Sequence, residues 1–179
     1  MKKMTLVLLS SCLAGVVLQC DANGAVDAPQ DYVTAVRLQQ ENKFGENDIK
    51  SFVYHVFALY DKHVEVGQFL PLLVDKGLAM RFPDATLRSH QDFKQWYAGI
   101  GENIRSNTHQ VERITVTFIG NGKYKVDLIV LWQAITKEDR FVSFRAHQMW
   151  TLDNVKKSKW PRILAYIVEE APRPAEAPK

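Results

Sequence analysis

Apolar residues at Ile49, Phe52, Val53, Val56, Phe57 and Tyr60 follow the three- and four-residue spacing of one stripe along an α-helix. Asn47 or Asp48 stands where its N-cap belongs. Residues 66–74 are a shorter apolar helix broken by Pro71, and residues 78–82 suit a short strand. A second stripe, Phe93, Trp96, Tyr97, Ile100 and Ile104, follows Ser89-His90-Gln91-Asp92, which has the form of a capping box with Asp in the acidic place. Both helices have a single apolar face, so both are expected to lie against something flat.

The second half of the chain supplies that surface. Residues 110–119, 124–135, 140–152 and 162–170 read as long strands, and Asn121-Gly122 marks a tight hairpin between the first two. Alternation puts Ile114, Val116 and Phe118 on one face of the first strand. The second strand has Val126, Leu128, Val130 and Trp132 on one face, and the third has Val142, Phe144, Ala146 and Trp150. A two-residue loop would pair Val116 with Asp127 and mix the faces. A three-residue loop ending in a bulge would pair Val116 with Leu128 and align them, so a bulge is expected. The opposite face carries Arg113, Asp127, Gln133, Arg145 and His147 among apolar neighbours. Such a mixture suits a partner surface, and a homodimer through the sheet is the expectation.

The ends of the chain read differently. Lys2 and Lys3 precede an apolar run from Thr5 to Leu18, the form of a secretory signal peptide over residues 1–22. Cleavage near Ala22-Asn23-Gly24 would release a periplasmic or secreted protein. Cys12 or Cys20 would serve instead as the lipidated residue of a lipoprotein, the one route to a membrane. Residues 23–45 are a polar lead-in with a helical turn or two, 46–170 the folded domain, and 171–179 a Pro- and Ala-rich tail expected to be disordered. Both cysteines fall in the leader, so the mature domain has neither a disulfide nor a thiol nucleophile. Without Lys2 and Lys3 the formal charge of +3 falls to +1, which argues against a nucleic-acid partner.

Helix, short helix, short strand, helix and then a long curved sheet is an order that resembles the SnoaL-like, or nuclear transport factor 2-like, cone-fold superfamily. The likeness spans about residues 48–170. It rests on Tyr60-Asp61 closing the first long helix, the 69–74 helix, the LAMRFPDA segment and the strands bearing Trp132 and Trp150. The resemblance implies an α+β fold: a curved antiparallel sheet forming a cone, packed with two or three N-terminal helices. The family holds steroid isomerases, polyketide cyclases, epoxide hydrolases and members with no catalytic activity, so fold alone leaves the function open. In ketosteroid isomerases a segment like residues 78–84 carries a general-base Asp immediately before the Pro. Here Phe82 takes that place, and Asp84 reads as a turn residue.

Candidate chemistry is sparse. Asp61 and His63 could form an acid–base pair at the end of the first helix, or a merely solvated cluster. A SnoaL-type cyclase would need a His and an acid facing into the cone. His147 is the nearest candidate, but alternation puts it on the opposite face, where Asp127 and Arg145 offer simple charge pairing. His55, His90 and His109 are scattered over helix and loop without metal-ligand spacing, and no HExxH, CxxC, GxSxG or Gly-rich phosphate loop occurs. No metal and no cofactor is expected. Tyr60, Phe82, Trp96, Tyr97, Trp132 and Trp150 are the aromatics expected to line a pocket for a small apolar ligand, or else to fill a core.

Two functions follow from this reading. The first, favoured by the missing Asp before Pro83, is an exported non-catalytic domain that binds a small apolar ligand or a protein. The second is a cofactor-free lyase, isomerase or cyclase using a His/Asp pair. An acid and a His within hydrogen-bond reach inside the cone would favour the enzyme.

Overall fold

The structure is a computed structural model that describes residues 29–41, 43–155 and 158–172. The expected leader and the tail from residue 173 lie outside the described residues. The chain divides into two compact units, Met1–Arg37 and Leu38–Lys179. Helix α1 (Gln30–Glu41) begins in the first and ends in the second. Among the described residues no helix is long and apolar enough to cross a membrane.

Helix α2 runs over Glu46–Asp61. Its N-cap is Gly45, not Asn47 or Asp48; Asp48 acts from within the first turn, where its Oδ2 accepts the Gly45 N–H at 2.9 Å. Ile49, Phe52, Val53 and Val56 are fully buried and Phe57 nearly so. Burial of each such side chain contributes about 1.5–3 kcal/mol relative to exposure. The expected helix after α2 becomes two 3-10 turns, Val66–Gln68 and Leu70–Leu72. Pro71 lacks the N–H that a continuing α-helix needs. Strands β1 (Ala79–Arg81) and β2 (Thr86–Leu87) follow, then helix α3 (His90–Asn103). Ser89 Oγ accepts the Asp92 N–H at 3.1 Å. The Asp92 carboxylate reaches one residue beyond the capping-box position and accepts the Arg88 N–H at 2.8 Å.

The remaining strands are β3 (Ile104–Gly120), β4 (Lys123–Thr136), β5 (Phe141–Asp153) and β6 (Arg162–Glu170). All six form one curved, unclosed sheet in the order β2-β1-β6-β5-β4-β3. The sheet is mixed where an antiparallel one is expected, because β1 lies parallel to β6. Helix α3 and four strands separate those two in sequence, so the chain can return in the same direction. At the first long hairpin Asn121 (φ 53°) and Gly122 (φ 69°) make a two-residue turn of the left-handed type. A bulge is present as expected, but its extra residue is Ile119, inside β3. Val116 therefore pairs with Val126, not with Leu128 or Asp127. The apolar faces coincide, and α2 packs on them.

On the outer face Arg113 Nη2 donates to Asp127 Oδ1 at 3.2 Å, and His147 Nε2 lies 2.9 Å from Asp127 Oδ2. Arg145 Nε donates to Glu112 Oε2 at 2.8 Å. Partial burial pushes the Asp127 carboxyl up, but the hydrogen bonds and charges of His147 and Arg113 outweigh it and hold the group below the usual carboxylate range.

Two outcomes follow. Ser89→Ala, by removing the α3 cap, lowers stability by about 1 kcal/mol in a urea titration. The lowered Asp127 value means its contribution is complete above about pH 4 and fades as the pH falls through the folded-state value. Asp127→Asn is therefore less stable than the parent at pH 6, and the gap between their urea midpoints narrows towards pH 3.

Candidate active site

Between α2, α3 and the inner face of the sheet lies a cavity of about 390 Å³. Its walls are mainly apolar: Phe82 stacks on Trp96 at 4.2 Å and 8°, and Ile100, Trp132, Phe144 and Val168 complete them. Of the aromatics expected to line a pocket, Tyr60, Phe82, Trp96 and Trp132 do so. Trp150 is fully buried behind the wall, and Tyr97 turns its hydroxyl to Val64 O at 2.7 Å. Asp84 makes no side-chain hydrogen bond among the described residues; it stands exposed beside Pro83 as part of the cavity lining.

The polar groups of the cavity come from positions that alternation alone misplaces. Strand β3 begins at Ile104, six residues before the expected start at residue 110, so His109 is on a strand and not in a loop. The pairing of β3 with β4 slips between Val111 and Arg113, leaving Glu112 as an extra residue. A bulge reverses the parity of everything on one side of it. Asn107, His109 and Val111 therefore share the inner face with Ile114, Val116 and Phe118.

Asp61, the last residue of α2, meets this segment. Its Oδ1 lies 2.6 Å from His109 Nδ1 and accepts from Asn107 Nδ2 at 2.9 Å, and its Oδ2 accepts the His109 backbone N–H at 3.2 Å. A helix C-terminus disfavours a carboxylate, and three donors from β3 offset that. The His109 ring stacks on Phe57 at 4.7 Å and 10°, which fixes its plane. With Nδ1–H committed to Asp61, the neutral ring presents the Nε2 lone pair to the cavity, where no protein group among the described residues takes it. This is the arrangement of a general base with its orienting acid. Tyr60 adds a hydroxyl to the same wall. Burial first, and then the Tyr166 and Tyr97 phenols, push its pKa well above the usual range, so it stays protonated.

The candidates read from sequence are separated by the fold. Asp61 is within the site, but its partner is His109. His63 has a left-handed backbone (φ 48°), makes no bond to Asp61, and has its Nε2 sealed without a partner among the described residues. His147 is paired with Asp127 on the outer face, away from the cavity, with Arg113 beside it. Arg145 and Gln133 belong to that outer face too. His109, Asn107 and Gln148 also line the cavity, and apolar periodicity alone singles out none of them. The signal for the first two was the alternation of Asn107, His109 and Val111, hidden because its inner residues are polar.

No protein-family model and no curated protein matches the chain. Solved structures do. A candidate scytalone dehydratase from Novosphingobium aromaticivorans matches at 13% identity with a TM-score of 0.65, over 78% of this chain and 88% of that one. A nuclear transport factor 2-like superfamily protein from Salmonella enterica matches at 11% identity and TM-score 0.64, over 74% and 96%. Hexachlorocyclohexane dehydrochlorinase LinA-type3 from Novosphingobium barchaimii matches at 11% identity and TM-score 0.61, over 75% and 88%. With the helices and the curved sheet described above, these likenesses give this chain the nuclear transport factor 2-like cone fold.

Proposed function

We propose that the protein is a cofactor-free enzyme that takes a proton from carbon in a small, mainly apolar molecule, with His109 as the base and Asp61 as the residue that orients it. The observation that carries this reading is the 2.6 Å contact between His109 Nδ1 and Asp61 Oδ1 inside an apolar cavity. The separation of roles is physical. Asp61 fixes the tautomer and steadies the imidazolium once it forms. The low-polarity walls exclude the water that would otherwise compete for the base.

Elimination is the reaction class best supported. Two of the similar structures bear the names of a dehydratase and a dehydrochlorinase, activities that remove water or hydrogen chloride. In such a step the C–H proton passes to His109 Nε2, its electron pair becomes the new π bond, and the neighbouring group leaves with its bonding electrons. The imidazolium then returns the proton to the departing group or to water. Isomerisation differs only in returning it to another carbon. Export through the leader and pairing of two chains through the outer face, with Arg113, Asp127, Gln133, Arg145 and His147, stay with this proposal as its expected setting.

The test is a screen of β-hydroxy and β-halo compounds in D2O, read by NMR for elimination and for deuterium at carbon. His109→Gln, nearly isosteric, is expected to cut the rate by roughly 100- to 10,000-fold, the usual worth of a positioned base. Asp61→Asn keeps an acceptor but loses the charge, and is expected to cost at least about tenfold with little change in KM. Turnover that survives His109→Gln would contradict the proposal.

A further inference from the structure

The cavity holds a second polar feature that the His109 reading does not use. Gln148, on the inner face of β5, is only 3% exposed. Its Oε1 lies 3.2 Å from Trp150 Nε1 and 3.0 Å from Tyr166 OH. An indole N–H can only donate, so the atom facing Trp150 is the amide oxygen and the orientation of the amide is fixed by chemistry. The Tyr166 hydroxyl, whose pKa burial pushes far up, supplies the second proton to that oxygen. Both oxygen lone pairs are then used. The NH2 group is left over.

That NH2 group has no partner among the described residues. It is not among the sealed, unpaired atoms there, which are His63 Nε2, Trp96 Nε1, Asn154 Oδ1 and Arg162 Nε. Gln148 lines the cavity, so its free N–H bonds open into it. Buried amides in native proteins find partners. Two ring donors hold this one so that it offers hydrogen-bond donors to whatever fills the space.

We infer that Gln148 Nε2 is the specificity anchor of the cavity and accepts a ligand that carries a neutral carbonyl oxygen on an otherwise apolar body. Neutrality follows from the lining, which contains no Lys or Arg to balance a carboxylate or phosphate and includes Asp84. Position follows from the register. His109 pairs with Trp132 on β4, whereas Gln148 pairs with Leu128 on the same strand. Four residues of strand separate the two levels, roughly 13 Å along the backbone. The carbonyl is therefore docked at one end of the ligand and the C–H that meets His109 is towards the other. An aryl or cyclic ketone has this shape. The inference rests on the proposed function only for what happens at the His109 end; recognition at Gln148 stands on its own contacts.

The probe is acetophenone carrying a 13C carbonyl, with cumene as its shape-matched partner lacking the oxygen. Bound to the parent protein, the carbonyl resonance is expected to move downfield and its stretching band to lower wavenumber than in hexane. Gln148→Met abolishes both shifts and weakens acetophenone three- to tenfold, roughly the worth of one neutral hydrogen bond, while leaving cumene unchanged. His109→Gln keeps both shifts. An inactive base thus does not imitate a missing anchor, and a catalyst that still works on ketones with Gln148→Met would separate the two the other way. Because that variant strands the Trp150 and Tyr166 donors, a second measurement uses the parent protein with 15N-labelled glutamine. The Gln148 side-chain NH2 protons move downfield as acetophenone saturates the site. Carbonyl shifts that persist in a folded Gln148→Met protein would overturn the inference, as would an NH2 signal unmoved at saturation or a failure of acetophenone to bind at millimolar concentration.

Discussion

The site depends on one extra residue in one strand. Strand β3 must turn Ile114, Val116 and Phe118 inward to pack under α2, and with strict alternation that choice would send His109 to the outer face. Glu112 absorbs a step without pairing, and the parity changes. Its carboxylate is held outside by Arg145, which also donates to Pro172 O at 2.7 Å. The hydrophobic register and the chemical register thus coexist on a single strand. Asp61 supplies the complementary constraint, since the end of α2 is where the helix axis brings a carboxylate against the inner face.

Around this, the fold divides its labour between packing and emptiness. The half nearest the first long hairpin is filled, with Val126, Leu128, Trp150 and Leu152 fully buried against α2. The half towards α3 is left open, walled by the Phe82–Trp96 stack and Trp132. Phe57 bridges the two, stacked on His109 on one side and edge-on to Trp150 at 5.5 Å on the other. The aromatic stack and the Asp61 contact together fix the plane of the His109 imidazole. Apolar lining around a few fixed polar groups is the usual form of a small-molecule site.

Most of the architecture was legible in the residues. The stripes of α2 and α3, the four long strands and the coincidence of their apolar faces are products of simple periodicity, which burial enforces. The site was legible only in part. Tyr60, Phe82, Trp96 and Trp132 announce themselves as aromatics on apolar faces. His109 does not, because a strand recognised by its apolar alternation is cut short where its inner residues turn polar, and because a bulge leaves no signature in composition. Gln148 sat between Ala146 and Trp150 on a face already counted as apolar, and its polarity argued against it. Asp61 was visible as an acid, but the histidine two residues away in sequence points elsewhere, whereas the one 48 residues on is its partner. Proximity along a helix end is a poor guide to proximity in space.

The central claim is that Asp61 holds the neutral His109 ring with its proton on Nδ1 and its lone pair on Nε2. Nitrogen NMR of the imidazole, recorded where the ring is neutral, reads this directly and needs no substrate. The account predicts a protonated, upfield Nδ1 and an unprotonated, downfield Nε2, with that preference lost in Asp61→Ala. A neutral ring carrying its proton on Nε2, or one indifferent to the removal of Asp61, would contradict it.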